Sequence, residues 1–366
     1  MFRNLYDKKK VLITGNSGFK GSWLTTWLMK LGADVIGVSK DIPTTPSMFK
    51  ELKLEHKIKY YKEDVRDLLK MTEIILNEKP DFLFHLAAQP IVSISYIDPI
   101  ETISSNVMGT TNILEALKET NHKCSAIIIT SDKAYNNIEQ TLGYKEDDKI
   151  GGKDIYSGSK GSAELIINSY YHSFFKNDKC NIKLAVGRAG NVIGGGDWAN
   201  SRIVVDCMKA WSKDETVEIR APYSTRPWQH VLEPLSGYLN LGADLSINDK
   251  LHGEAFNFGP KIDQDYTVAD LISELSKYWN FQNSKDAYKI IPNTPFHEAK
   301  LLKLNSSKAF YYFNWQANLE YKDNIKFTSE WYFDFYKNDK NMFDKTNEQI
   351  TEYENMAKEK GLKWTE

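Results

Sequence analysis

Tyr156 and Lys160 lie four residues apart at the start of an amphipathic run, a spacing that turns both side chains to one side of a helix. An ammonium beside a phenol favours the phenolate, and bringing a tyrosine from about 10 to near 7 takes roughly 4 kcal/mol of differential stabilisation. Such a pair is a general base for a substrate hydroxyl. Spacing alone does not single it out: with 20 Tyr and 41 Lys about two such matches arise by chance, and Tyr6 with Lys10 and Tyr336 with Lys340 also match. Context separates them. Thr130-Ser131-Asp132-Lys133 follows the fifth apolar strand-like run, and Tyr156 opens the helix leading on from it. A hydroxyl, an acid and an amine at one strand end make a proton-transfer set, with Ser131, Asp132, Lys133, Tyr156 and Lys160 as candidate catalytic residues. An exposed turn pair is the alternative for Asp132 and Lys133.

The elements that must position these groups begin at Val11 to Thr14, a short apolar strand that runs into Thr14-Gly15-Asn16-Ser17-Gly18-Phe19-Lys20-Gly21. This GxxGxxG turn opens a helix from Phe19 to Leu31. Glycines there let the backbone turn sharply and approach a pyrophosphate held at the helix amino terminus. A Walker P-loop is excluded by the missing GK[ST] ending. Gly15, Ser17, Gly18, Phe19, Lys20 and Gly21 are thus candidate dinucleotide-binding residues. Asp41, after the second strand, is placed to accept from a ribose hydroxyl and to favour NAD over its phosphorylated form, with a solvated loop carboxylate as the alternative. Asp64-Val65 follows the third strand, where an adenine contact is expected, and Leu86-Ala87-Ala88 gives small residues beside the cofactor. Thr130, Tyr156 and Lys160 complete the expected NAD contacts.

Strand-like runs recur at Asp34 to Val38, Lys59 to Lys62, Phe82 to Leu86, Ala126 to Thr130 and Lys183 to Val186. Long helical patterns fall between them, notably Ile100 to Glu119 and Ile155 to Phe175. Six or seven such units predict an α/β fold, a doubly wound parallel sheet of Rossmann type with a smaller carboxyl-terminal substrate-binding lobe. The expected NAD-binding domain is 1–195, completed by 231–260, with 196–366 mainly the substrate lobe. From Glu330 onward the pattern is helical and highly charged, which predicts a solvated surface helix.

The chain has 366 residues, and 47 basic against 49 acidic groups leave a net charge of −2. Bulk charge therefore offers no long-range attraction to nucleic acid or an anionic membrane. Only six residues are Arg, and four of them, Arg188, Arg202, Arg220 and Arg226, fall within one short stretch. A planar guanidinium fork recognises phosphate bidentately, which an ammonium cannot, so these four are candidates for an anionic ligand; for Arg202 and Arg220 a surface or ion-paired role is the alternative. Cys124, Cys180 and Cys207 make no CxxC and the seven His show no ligand spacing, so no disulfide framework or metal site is expected. A polar, basic amino terminus and the absence of a long apolar run predict a cytoplasmic protein.

Together these motifs resemble the extended short-chain dehydrogenase/reductase family. More narrowly, the chain resembles its CDP-glucose 4,6-dehydratase branch through Gly18-Phe19-Lys20-Gly21-Ser22-Trp23-Leu24, His85-Leu86-Ala87-Ala88-Gln89-Pro90, Thr130-Ser131-Asp132-Lys133, the run Arg188 to Ala199, and Arg226-Pro227-Trp228-Gln229-His230-Val231-Leu232-Glu233-Pro234. Asn257-Phe258-Gly259-Pro260 and His297-Glu298-Ala299 extend the likeness. Asn16-Ser17, Ala134 and Ile155 depart from that branch's usual His-Thr, Cys and Pro. The resemblance implies redox-neutral dehydration of a nucleotide-activated glucose, CDP-glucose first, toward deoxy sugars of bacterial surface polysaccharides. Tyr156 would serve as C4 base, Asp132 as acid at C6 and Lys133 at the position of the C5 base. It implies substrate contacts at Gln89, Asn191, Arg202, Arg226, His230, Asn257 and His297, and a homodimer or homotetramer paired through the two long helices. A C4 epimerase or reductase would share the fold and the Tyr/Lys pair without needing an acid at C6. A noncatalytic NAD-sensing protein would need neither Tyr156 nor Lys160.

Overall fold

The structure is a computed structural model that describes residues 1–177, 179–261, 266–279, 281, 283–291 and 301–366. Seven parallel strands form its central sheet: β1 (Lys10–Thr14), β2 (Asp34–Val38), β3 (Lys59–Tyr61), β4 (Phe82–His85), β5 (Cys124–Ile129), β6 (Ile182–Ala189) and β7 (Ala255–Phe258). They are ordered β3-β2-β1-β4-β5-β6-β7, so the chain direction across the sheet reverses between β1 and β4. That reversal opens a crevice at the carboxyl ends of the strands, where ligands of such sheets bind.

The sheet is apolar on both faces because each strand alternates between two buried layers. Val11 and Ile13 of β1 join one core with Phe84 and Ile127, while Leu12 joins the other with Leu83 and Ile128. Among the helices around it are α1 (Phe19–Lys30), α2 (Gly109–Lys118), α3 (Ile155–Tyr170), α4 (Ile203–Trp211), α5 (Leu232–Ile247), α6 (Tyr321–Lys337) and α7 (Met342–Glu359). Alpha helix α3 packs on the turn that follows β5, and α5 packs on β5 and β6.

Two long helices expected from periodicity are interrupted. The run from Ile100 to Glu119 forms Pro99–Ile103, a π turn at Ser104–Met108, and then α2; the run from Ile155 ends as α3 followed by a π turn at Tyr171–Phe175. The first π turn adds a residue to the helical cycle and rotates the face of α2, and the second closes its helix at Lys176.

The charged carboxyl end is not merely a solvated helix. Ile350, Tyr353 and Ala357 of α7 are fully buried, and α7 packs against α1. Trp364 stacks on Phe2 at 5.2 Å between ring centroids, and the Trp27 indole donates to Glu354 at 2.8 Å. Most of its charges occupy the outer face, with Glu354 and Lys345 buried, while a hydrophobic stripe is turned inward as in an amphipathic helix.

Candidate active site

The glycine turn is built by steric necessity. Gly15 has φ +75°, and a Cβ there would lie 2.7 Å from the Ala87 nitrogen. A Cβ on Gly21 would meet the Gly15 carbonyl at 2.2 Å, so α1 starts against the end of β1. Ser17 donates its amide to Ser39 Oγ at 3.1 Å and its hydroxyl to the Asp41 carbonyl at 2.6 Å, binding the turn to the end of β2. Asn16 turns inward, where its Oδ1 accepts from Ser39 Oγ at 2.8 Å.

No side chain caps the amino terminus of α1, and its first turn carries no acidic residue. Uncapped amides there, next to Lys20, fit a pyrophosphate. Gly18, Phe19, Leu86, Ala87 and Ala88 are half-buried along this part of the crevice, and Asp41 is exposed at its rim. Asp64 pairs with Arg66 at 2.6 Å, which also pairs with Glu101; Lys40 joins Glu101 at 2.7 Å. Val65 is buried against Gly109. These residues suit the dinucleotide expected from the glycine turn.

The proton-transfer set converges at the end of β5. Ser131 Oγ donates to Asp132 Oδ1 at 2.9 Å and accepts the Lys133 amide at 3.2 Å. Asp132 is only 5 % exposed, and burial raises its pKa, opposed by Lys133, the Ser131 hydrogen bond and Lys20. A carboxyl group favoured in its protonated form is suited to act as an acid. Tyr156, 7 % exposed, lies close enough to Ser131 for the serine to favour its phenolate. Lys160 is buried one turn further along α3, and burial lowers its pKa to about 8.

The expected lowering of Tyr156 is not what the structure gives. Burial pushes the phenol up to about 12, against the downward pull of Ser131 and Arg202. Desolvation of the anion outweighs the surrounding cations in the protein alone. Lys20 reaches the same region: burial lowers it to about 8, with Arg202, Asp132, Lys160 and Asp197 as its charged neighbours.

The residues expected to bind substrate divide into two groups. Asn191 is exposed just beyond Gly190, where a Cβ would lie 3.1 Å from Asp132 Oδ2. Arg202 is half-buried and pairs with Asp197 at 2.8 Å, close enough to act on Lys20 and Tyr156. Arg226 lies on a two-stranded ribbon with Tyr266 and Thr267, while Trp228 behind it is buried. The rest are turned into the protein. His230 is buried edge-on to Trp23 and Phe327, and burial lowers its pKa to about 3. Asn257 accepts from the Tyr135 hydroxyl at 2.8 Å and donates to the Tyr144 carbonyl at 2.9 Å. Gln89 donates to Thr102 Oγ1 at 2.8 Å and accepts the Ile91 amide at 2.6 Å. His297 lies outside the described residues.

Two further expectations need correction. Arg188 is not open to an anion: it is buried and grips Glu164 through Nε at 2.8 Å and Nη2 at 3.0 Å. Thr130 directs its hydroxyl to the same carboxylate rather than to the crevice. Glu164 escaped notice in the sequence, although it continues the Tyr156/Lys160 spacing by another four residues. Asp197, inside the glycine-rich motif, was likewise overlooked as the partner of Arg202.

Comparison with known proteins places this geometry. Residues 12–328 match the family model described as GDP-mannose 4,6 dehydratase. The CDP-glucose 4,6-dehydratase of Salmonella typhimurium is 43% identical over 318 residues, covering 86% of this chain and 87% of that protein. The dTDP-glucose 4,6-dehydratase of Streptomyces venezuelae, solved with NAD bound, superposes with a TM-score of 0.75 at 17% identity, covering 88% of this chain and 96% of the other. The UDP-glucuronic acid 4-epimerase of Bacillus cereus, also solved with NAD, gives 0.75 at 22% identity over 89% and 99%. These two distant structures share the fold, whereas the family match and the 43% relative go further: the chain belongs to the GDP-mannose 4,6 dehydratase family of nucleotide-sugar dehydratases.

Proposed function

We propose that the protein converts CDP-glucose to CDP-4-keto-6-deoxyglucose with NAD as a resident cofactor. The observation that carries this reading is the buried Asp132, hydrogen-bonded to Ser131 beside Tyr156, because an acid at that place serves elimination and not simple C4 inversion. The preference for cytidine follows from the 43% relative.

Gly15, Gly18, Gly21 and the amino terminus of α1 would hold the pyrophosphate of NAD, and Asp41, Asp64 and Val65 its adenosine end. When bound, NAD would supply reversible hydride chemistry between sugar C4 and C6, with no net consumption of external reductant. Tyr156 removes the C4 hydroxyl proton through the hydrogen-bonding reach of Ser131, and Lys160 stabilises the phenolate. Binding must bring the phenol down from about 12 for this to proceed near neutral pH. Lys133 stands where a base can take the C5 proton once C4 is a ketone, a role that requires its amine to have given up its ammonium proton. Asp132 gives its proton to the departing C6 hydroxyl, which leaves as water. Arg202 and Arg226, with Asn191, hold the substrate's diphosphate.

The test is turnover of CDP-glucose in deuterated water without added reductant, with dTDP-, GDP- and UDP-glucose in parallel. CDP-4-keto-6-deoxyglucose carrying solvent deuterium at C5 is expected. C4 inversion, or no turnover of any nucleotide glucose, overturns the reading; faster turnover of another nucleotide overturns the cytidine preference.

A homodimer is part of the same proposal. Ile100, 73 % exposed, and Leu165, 62 % exposed, lie on neighbouring helical segments together with exposed Ile97, Ile103 and Met108. A contiguous apolar face of this kind suits burial against a second copy. Ile100→Asp with Leu165→Asp is expected to give a monomer in sedimentation; an unchanged oligomeric state, or a monomeric parent, rejects this pairing.

A further inference from the structure

Thr130, Glu164 and Arg188 form a buried polar set that no step of the reaction uses. Glu164 lies four residues beyond Lys160 on α3, and it is the neighbour that favours the charged form of Lys160. Its two carboxylate oxygens accept Nε and Nη2 of Arg188 on β6. The same carboxylate accepts the Thr130 hydroxyl from the residue directly after β5. Arg188 is fixed from its other side by Nη1, which donates to the Tyr135 hydroxyl at 2.7 Å and to the Glu146 carbonyl at 3.0 Å. Tyr135 in turn donates to Asn257 on β7.

This arrangement spans the two elements whose spacing the chemistry needs. Thr130 precedes Ser131 and Asp132 in the chain, whereas Tyr156 and Lys160 share a helix with Glu164. A buried bidentate pair is costly to desolvate, and an apolar pair of similar volume fills such a site at no loss of stability in other proteins, so stability alone gives weak reason for it. Its geometric effect is specific: one carboxylate fixes the strand end to the helix.

We propose that Glu164 is a positioning residue. Seated on Arg188, it receives the Thr130 hydroxyl and holds Ser131 and Asp132 at a constant spacing from Tyr156 and Lys160. The inference rests on the dehydratase reading. An error of about 1 Å in such a spacing can cost about 100-fold in rate.

Thr130→Val removes the hydroxyl at nearly constant volume, and Thr130→Ser restores it. In single turnovers with CDP-glucose, Thr130→Val is expected to lower both the oxidation and the elimination rate by about 10- to 100-fold, with KM changed less than about threefold. Thr130→Ser is expected to stay within about threefold of the parent. Glu164→Leu combined with Arg188→Met removes both members of the buried pair together, so neither is left without the other, and is expected to show the same loss in kcat. Parental kcat in Thr130→Val or in the double variant, loss confined to KM, or failure of Thr130→Ser to recover activity overturns the proposal. A parent enzyme that turns over no nucleotide glucose overturns the functional reading instead, so the two failures are distinguishable.

Discussion

Replacing Asp132 with Asn isolates one proton. The carboxyl group is almost fully enclosed, with Oδ1 accepting from Ser131 and Oδ2 facing Gly190. An amide has nearly the same volume, and its oxygen can still accept from Ser131, so packing and the Ser131 orientation survive. What disappears is the group's capacity to carry an acidic proton, a capacity that burial favours. General acid catalysis by a positioned side chain contributes about 100- to 10,000-fold, or about 3–5 kcal/mol of activation free energy. That loss should fall on C6 elimination alone. Oxidation at C4 uses Tyr156 and should stay within about threefold of the parent. The assay is a single turnover of CDP-glucose, following reduced nicotinamide by absorbance and the C5 and C6 positions by mass spectrometry. The expected result is reduced cofactor that forms at the parental rate and persists, with water loss slowed by at least about 100-fold. Equal slowing of both steps, or no persistence of reduced cofactor, refutes the role of Asp132 as the C6 acid.

Burial lowers Lys160 to about 8; with the proposed role of its charge in stabilising the Tyr156 phenolate, the oxidation rate should fall as pH rises through that value, and Lys160→Met should remove this alkaline limb and slow oxidation by about 100-fold or more. A limb unchanged in Lys160→Met rejects the assignment. Burial raises Glu233 from 4.5 to about 7, although it accepts from the Asn318 and Leu319 amides and from Tyr353. The folded protein therefore binds this proton more tightly than the unfolded chain, and stability is lost as pH rises from about 4.5 to about 7. Glu233→Gln should flatten thermal stability across that window, and an unaltered pH slope counts against it. Trp364→Ala should cost about 3–5 kcal/mol in denaturant unfolding, since it opens a cavity between Phe2, Trp27 and Tyr353; a loss below about 1 kcal/mol would show that the carboxyl end contributes little.

Much of this protein is legible locally. The strand positions, the GxxGxxG turn, and the Tyr156/Lys160 spacing depend on residues within one or two turns of one another, and short-range sterics decide their conformation. Gly21 is such a case, because a Cβ there would meet the Gly15 carbonyl six residues earlier, whereas Gly15 is also required by the distant approach of Ala87. The π turns at Ser104–Met108 and Tyr171–Phe175 were not legible, since each inserts a single residue into the cycle and a short apolar repeat does not reveal that.

Partner choice across long separations was decided by the fold alone. Arg188 belongs to an arginine-rich stretch that suggests an anion site, but β6 directs it inward to Glu164, 24 residues earlier. His230 and Asn257 sit in motifs that look functional and are consumed by packing and internal hydrogen bonds. The pKa of Tyr156 follows the same rule: a lysine four residues away promises a lowered phenol, yet burial within the assembled site raises it. The sequence by itself determined which chemical groups this protein carries and the local turns that present them. Only the tertiary structure decided which charges meet, and how much water each one loses, because both depend on neighbours that sequence distance does not reveal.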